Sequence, residues 1–317
     1  MDIAKFRITL DQIRRQYWGW GVLALWAGFY AIMPMLSYDT NGIDEGAARA
    51  LLLNWSIADH VINPIVILGI PDFRAFLFGP LTIYWPGSML AAKVFVVLVF
   101  AAGIAWCYRW AHARFGEETA MVSMGLMLIA PLSLTQIDSL ASGPFVLAGM
   151  ALLWRIEEAY AKTKNAVGGI YYFRLLVIAG LATLHPAGLG YPLALLWRWF
   201  KNPTGDNKQR TQVMGGIIIA LIIIGVLRAG WIDLAWGSNP LAALGTLISQ
   251  PAIDDTPEWP LGIIPLLMLV GVIAGYWRRW LTDTAGLGWL LAIAVGALCA
   301  DGTWALLALG FILTYGT

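Results

Sequence analysis

Long runs of apolar residues, separated by short polar interruptions, follow one another through most of the chain. A helix needs roughly 15 to 20 such residues to cross hydrocarbon about 30 Å thick, at about 1.5 Å per residue. Strands of a membrane barrel would instead be shorter and would alternate apolar with polar positions. The pattern therefore predicts an all-α, polytopic membrane protein of about 10 transmembrane helices. Their expected positions are 17–36, 88–107, 119–134, 143–160, 170–185, 187–200, 213–229, 260–277, 286–300 and 303–316. Four of them (119–134, 170–185, 187–200 and 303–316) are short for a bilayer, and pairs of these can enter as half-inserted hairpins.

Between the first two runs lies a segment, 37–87, that is too polar at its start to cross a bilayer and too apolar afterwards to be an ordinary soluble loop. Asn41-Gly42 turns the chain, and a helix is expected from Asp44, with Ala47, Leu51, Leu52 and Trp55 near helical spacing. Such a helix lies in the membrane interface and presents Asp44, Glu45 and Arg49 at one end. Downstream, the prolines and glycine of PDFRAFLFGP bar a regular helix. Irregular backbone at that depth must be covered by protein or water, so a packed or re-entrant loop carrying Arg74 is expected.

Composition agrees with the pattern. Hydrophobic residues make up 59% and charged residues 12%, against about 25% charged in a soluble domain. Many of the 17 tryptophans flank the runs, among them Trp18, Trp20, Trp110 and Trp197, as an aromatic belt at the headgroups would require. Cys107 and Cys299 lie in or at the edge of apolar runs and read as packed core residues rather than a disulfide. The run after the basic N-terminus lacks a small-residue cleavage site and reads as a retained first span.

The net charge of +1 conceals an asymmetry. With the N-terminus inside, sixteen of the 20 Lys and Arg residues fall on the inner face; Arg49, Arg74 and Arg228 fall outside, and Lys93 lies within the second span. The positive-inside rule then sets both termini inside. The localisation expected is an integral protein of a bacterial cytoplasmic membrane. The chain reads as one membrane domain over 1–317: a lead at 1–16, the first outer loop at 37–87, a helix core at 88–200, and C-terminal helices at 201–317 with a second outer loop at 230–259.

Each candidate site residue admits two readings. Asp44, Glu45 and Arg49 can cap a helix and pair within one turn, or supply a general base beside a phosphate-binding cation. Arg74 can pair with Asp72 or hold an anionic headgroup. Lys93 can snorkel outward or face a polar cavity shared with the outer loop. His185, before Pro186, can bond a backbone group or contact whatever fills that opening. Asp254 and Asp255, with Glu258 nearby, can bind a divalent cation, the one cofactor the chain hints at, or form a solvated turn. No HExxH, CxxC, phosphate-loop or GxSxG pattern occurs, which weakens zinc, nucleotide and hydrolase readings.

Taken in order, four features form a recognisable series: the Asp-Glu pair opening the loop helix, then PDFRAFLFGPLTIYW, then Arg114 to Gly116 (RFG), then LATLHPAGLGYP. Over residues 10–200 the chain resembles the GT-C superfamily of membrane glycosyltransferases, particularly its protein mannosyltransferase and lipid A aminoarabinose transferase branch. The resemblance implies a GT-C-like core that moves a sugar from a polyprenyl-phosphate donor to an acceptor at the extracytoplasmic face. Asp44 would take the acceptor proton with Glu45 beside it. Arg49, Arg74, Lys93 and His185 would contact the lipid phosphate or donor. The partners implied are membrane lipid and the lipid-linked sugar, with other membrane subunits and no nucleic acid. Members of that branch are commonly longer, which keeps a second reading alongside, a catalytically inactive GT-C-derived subunit of a larger complex. The short fifth and sixth spans keep a third, a transporter.

Overall fold

The computed structural model describes residues 17–29, 77–78, 89–129, 131–138, 140–162, 169–201, 284–297 and 303–315. Among them the regular structure is all helical, with no strand. We number the helices α1 (17–29), α2 (Met89–Phe115), α3 (Glu117–Ile129), α4 (Pro131–Asp138), α5 (Gly143–Lys162), α6 (Gly169–Leu184), α7 (Gly190–Lys201), α8 (Thr284–Ala297) and α9 (Thr303–Tyr315). A 3-10 turn, Pro186–Leu189, links α6 to α7. The expected outer-loop helix, the spans at 213–229 and 260–277, and the loop at 230–259 lie outside the described residues.

Local chemistry explains where these helices start and stop. The second run does not end at 107, because CYRWAHAR, polar as it looks, continues the helix to Phe115. Gly116 then reverses the chain at φ 88°, donating its N–H to the His112 carbonyl at 3.2 Å, and glycine takes that conformation without a Cβ clash. The third run is broken into two helices, with Pro131 opening α4 at a position where its missing N–H costs nothing. After α4, Leu140 adopts φ 55°, a left-handed turn that normally falls to glycine. Its side chain is fully buried, and its N–H bonds the Ile137 carbonyl while that of Ala141 bonds Gln136.

Pairwise contacts give the directions. Trp20 meets Tyr108 and Trp26 meets Phe100, so α1 runs antiparallel to α2. Phe95 packs on Phe145 and Trp110 on Trp154, so α2 and α5 run parallel. Glu157 pairs with Arg174, and Gly149 faces Leu181, so α6 returns antiparallel to α5. Gly143 faces Leu306 and Gly310 faces Leu147, making α9 parallel to α5. The contacts of Gly190 with Ala292 and Arg198 with Thr284 set α8 against α7. The starts of α2, α5, α7 and α9 therefore share one end of the bundle, which we call the Lys93 end. Arg109, Arg114, Arg155, Lys162, Arg198 and Lys201 stand toward the opposite end.

Apolar side chains occupy both the inside and the outside. Val97, Phe100 and Ile104 of α2 belong to one buried cluster with Val146 and Leu153 of α5, Leu181 of α6 and Leu307 of α9. Yet Val122, Leu126 and Ile129 of α3, and Phe173 and Leu176 of α6, face outward. Helices apolar all round belong in a large core or a membrane. Leu90–Phe115 is long and apolar enough to span a membrane, and Gly169–Ala182 and Thr284–Gly296 are shorter apolar helices. The tryptophans divide. Trp18, Trp20 and Trp197 are exposed as an aromatic belt would have them. Trp110 is buried instead, stacked edge-on against Trp154 with centroids 5.1 Å apart. Trp26 and Trp289 donate their indole N–H groups to the carbonyls of Leu128 and Leu307. Cys107 is a buried free thiol, as a core residue should be.

Backbones approach closely where small residues meet. A Cβ on Gly190 would run into the backbone of Ala292, whereas one on Gly125 of α3 meets nothing within 4 Å. Gly190→Ala should lower stability by about 1–3 kcal/mol through overpacking. Gly125→Ala should be neutral or gain up to about 1 kcal/mol of helix propensity. Thermal unfolding of both variants in one detergent checks the contrast.

Candidate functional site

The Lys93 end gathers what can be described of the predicted site. Residues 77–78 of the outer loop are helical, and Phe78 is fully buried. Its ring contacts Phe95 of α2 and Phe145 of α5, at centroid distances of 6.1 and 5.9 Å, and those two rings lie 6.0 Å apart. Three aromatic rings in mutual contact at these spacings make favourable edge and tilted pairs. Phe78 is thus seated in the bundle, and residues 77–78 are helical where irregular backbone was expected from the prolines and glycine around them.

Lys93 stands one turn into α2 and is only 7% exposed. Helical spacing puts it on the stripe that continues through Val97, Phe100 and Ile104, all fully buried. Its side chain is buried, whereas Leu98 on the outward side of α2 is exposed. No acid pairs with Lys93 among the described residues. An ammonium on the interior side of an apolar bundle is costly without an anion or water beside it.

His185 ends α6 and is 6% exposed. Its backbone is extended, and its Nδ1 accepts the N–H of Ala187 at 3.0 Å, which caps the 3-10 turn. Gly188 completes the turn, pressed against the Leu181 carbonyl, where a Cβ has no room. Because Nδ1 accepts, a neutral His185 carries its proton on Nε2. The residue is therefore a structural cap. Lys93 and His185 share one end of the bundle, on helices that each pack against α5. Asp44, Glu45, Arg49, Arg74, Asp254 and Asp255 lie outside the described residues. Among the described residues, no group of three His, Cys, Asp or Glu side chains could hold a metal ion.

A second polar cluster escaped the sequence reading. Arg174 counts there as an inner-face base, but in the structure it is 4% exposed inside the bundle. Its Nε lies 2.5 Å from Glu157 Oε1, and its guanidinium carbon lies 4.9 Å from the Tyr160 ring and 6.0 Å from that of Tyr191. Tyr171 lies alongside Tyr160 at 6.2 Å. The cluster ties α5 to α6 and to α7, the two helices that flank the His185 turn. Its signal was one charge within each of two apolar runs, masked by the neighbouring Glu158 and by the short distance from Arg174 to Lys162 and Lys164.

The chain matches no family model, no curated protein and no solved structure.

Removing one partner of a buried ion pair strands the other charge at a cost of about 3–5 kcal/mol, whereas replacing both with apolar side chains of similar volume is often neutral. Glu157→Gln and Arg174→Met should each lower the unfolding temperature strongly, and Glu157→Leu/Arg174→Met should recover most of the loss. At the turn, His185→Ala should cost about 1 kcal/mol, as loss of a cap does, and His185→Asn should restore it because asparagine also caps. Unfolding midpoints of these five variants are the readout.

Proposed function

We propose that the chain is an integral protein of a bacterial cytoplasmic membrane, with both termini inside and a GT-C-like helix core. On this reading it transfers a sugar from a polyprenyl-phosphate donor to an acceptor at the outer face. The observation that carries the reading is the burial of Lys93 on the interior stripe of α2, at the end where Phe78 of the acid-bearing loop packs into the bundle. A cation held there, with no acid beside it among the described residues, suits a lipid phosphate that enters from the membrane. The gathering of basic residues at the opposite end supports the orientation.

The chemistry is a single displacement. The acceptor oxygen attacks the anomeric carbon as the bond from that carbon to the phosphate oxygen breaks, and Asp44 takes the acceptor proton. The lipid phosphate leaves with its charge steadied by Arg49, Arg74 and Lys93, and the sugar carbon inverts. Glu45 flanks the base, and His185 donates from Nε2.

A second reading, a non-catalytic GT-C-derived subunit, draws support from His185, whose Nδ1 is engaged in building its own turn. Vesicles supplied with a polyprenyl-linked sugar distinguish the two. Asp44→Asn and Arg74→Ala should each cut transfer, by roughly 10²–10⁴-fold for loss of the general base. Undiminished transfer in both variants would refute the catalytic assignment. Purification in mild detergent with a stoichiometric set of partner chains, and no transfer, would establish the subunit.

A further inference from the structure

At the end opposite Lys93, α2 and α5 are joined by Trp110 and Trp154, whose rings meet edge to face at 88°. The guanidinium of Arg114 lies over the Trp110 ring at 4.0 Å. Arg109 and Arg155, the immediate neighbours of the two tryptophans, are both exposed. Arg155 Nη1 reaches Glu158 at 2.6 Å, a solvent-exposed pair within one helical turn, and such pairs hold weakly. Glu117 and Glu118 open α3 beyond the Gly116 turn. Trp110 is buried, so the indole pair forms a fixed contact between the helices, with Arg114 over one ring and the exposed Arg109 and Arg155 next to the two tryptophans in sequence.

Arg109 also tops an apolar face. Leu98, Ala102 and Arg109 recur on one exposed side of α2. A ligand that fits this side carries an anionic head at Arg109 and hydrocarbon along Ala102 and Leu98. We propose that Arg109, Arg114 and Arg155 bind the phosphate of an anionic phospholipid whose chains lie along α2. The inference rests on the membrane orientation proposed above and is independent of sugar transfer. Arginine suits the task because its planar fork bonds phosphate oxygens in pairs. Clusters of basic residues at the cytoplasmic end of spans attract anionic lipid, at about 1 kcal/mol per residue.

The test uses the full chain purified in a neutral detergent, with phosphatidylglycerol and phosphatidylcholine of identical chains titrated separately. Binding is read by native mass spectrometry and by the shift in unfolding temperature. Phosphatidylglycerol should bind at least about tenfold more tightly. Arg109→Gln/Arg155→Gln should weaken it by about thirtyfold and leave phosphatidylcholine unchanged. Should the double variant not fold, Arg109→Gln alone should weaken it by about fivefold. Lys162→Gln, at an exposed position toward the same end, should change it less than about twofold. Equal affinity for the two lipids overturns the proposal, as does a double variant that keeps the preference. So does an equal loss in Lys162→Gln, which would mean diffuse attraction, or displacement of the lipid by inorganic phosphate at matching concentration. If Asp44→Asn abolishes transfer and the lipid preference persists, both readings stand. If transfer fails to respond while the preference persists, only the catalytic reading falls.

Discussion

The described helices are apolar inside and out, so the difference between a buried and an exposed leucine does little to decide which faces meet. What orders them is close approach. Gly103 lies against the backbone of Ala148, Gly190 against Ala292, and Gly188 against Leu181. At each, the absent side chain lets two backbones come near enough for many small dispersion contacts to add up. Where such contacts pack well, a bundle gains stability without needing water as the unfavourable alternative. The consequence is a fold sensitive to volume at a few points and tolerant elsewhere.

Close packing alone leaves register weakly specified, because an apolar surface slid by one turn still presents apolar atoms. The polar links remove that freedom. Glu157 meets Arg174 at one depth, Arg198 meets Thr284 at another, and the indole N–H groups of Trp26 and Trp289 each reach one backbone carbonyl. In a low-dielectric interior a misplaced charge or donor is expensive, so each link penalises the neighbouring registers more than it stabilises its own. The Glu157–Arg174 pair and Tyr191 together hold α6 and α7 on either side of the Pro186 turn, which keeps that turn in place against α8.

The apolar runs located α5, α6, α7, α8 and α9 to within a few residues, since run length and helix length follow from the same requirement for continuous backbone hydrogen bonding. Where sequence and structure part, the cause is local. CYRWAHAR looks like a loop because its charges interrupt hydropathy, yet arginine and alanine are good helix formers and the helix passes through. Pro131 splits a continuous apolar run, an event that hydropathy does not register. Lys93 was conspicuous from the sequence as a lone cation in an apolar run, but its burial beside Val97, Phe100 and Ile104 became visible only in the packed helix. Arg174, close in sequence to Lys162 and Lys164, looked solvated, and only the facing Glu157 on another helix reveals it as buried.

His185 fills the structural one of the two readings that the sequence allows. Pro186 supplies no N–H, so the first donor of the 3-10 turn that needs a partner is Ala187, and the imidazole Nδ1 accepts it. That bond consumes the acceptor nitrogen and fixes the neutral tautomer. A general base at this position is thereby excluded, because taking a proton at Nδ1 would break the cap on which the turn depends. The capping bond thus gives His185 a defined structural task at the join of α6 and α7.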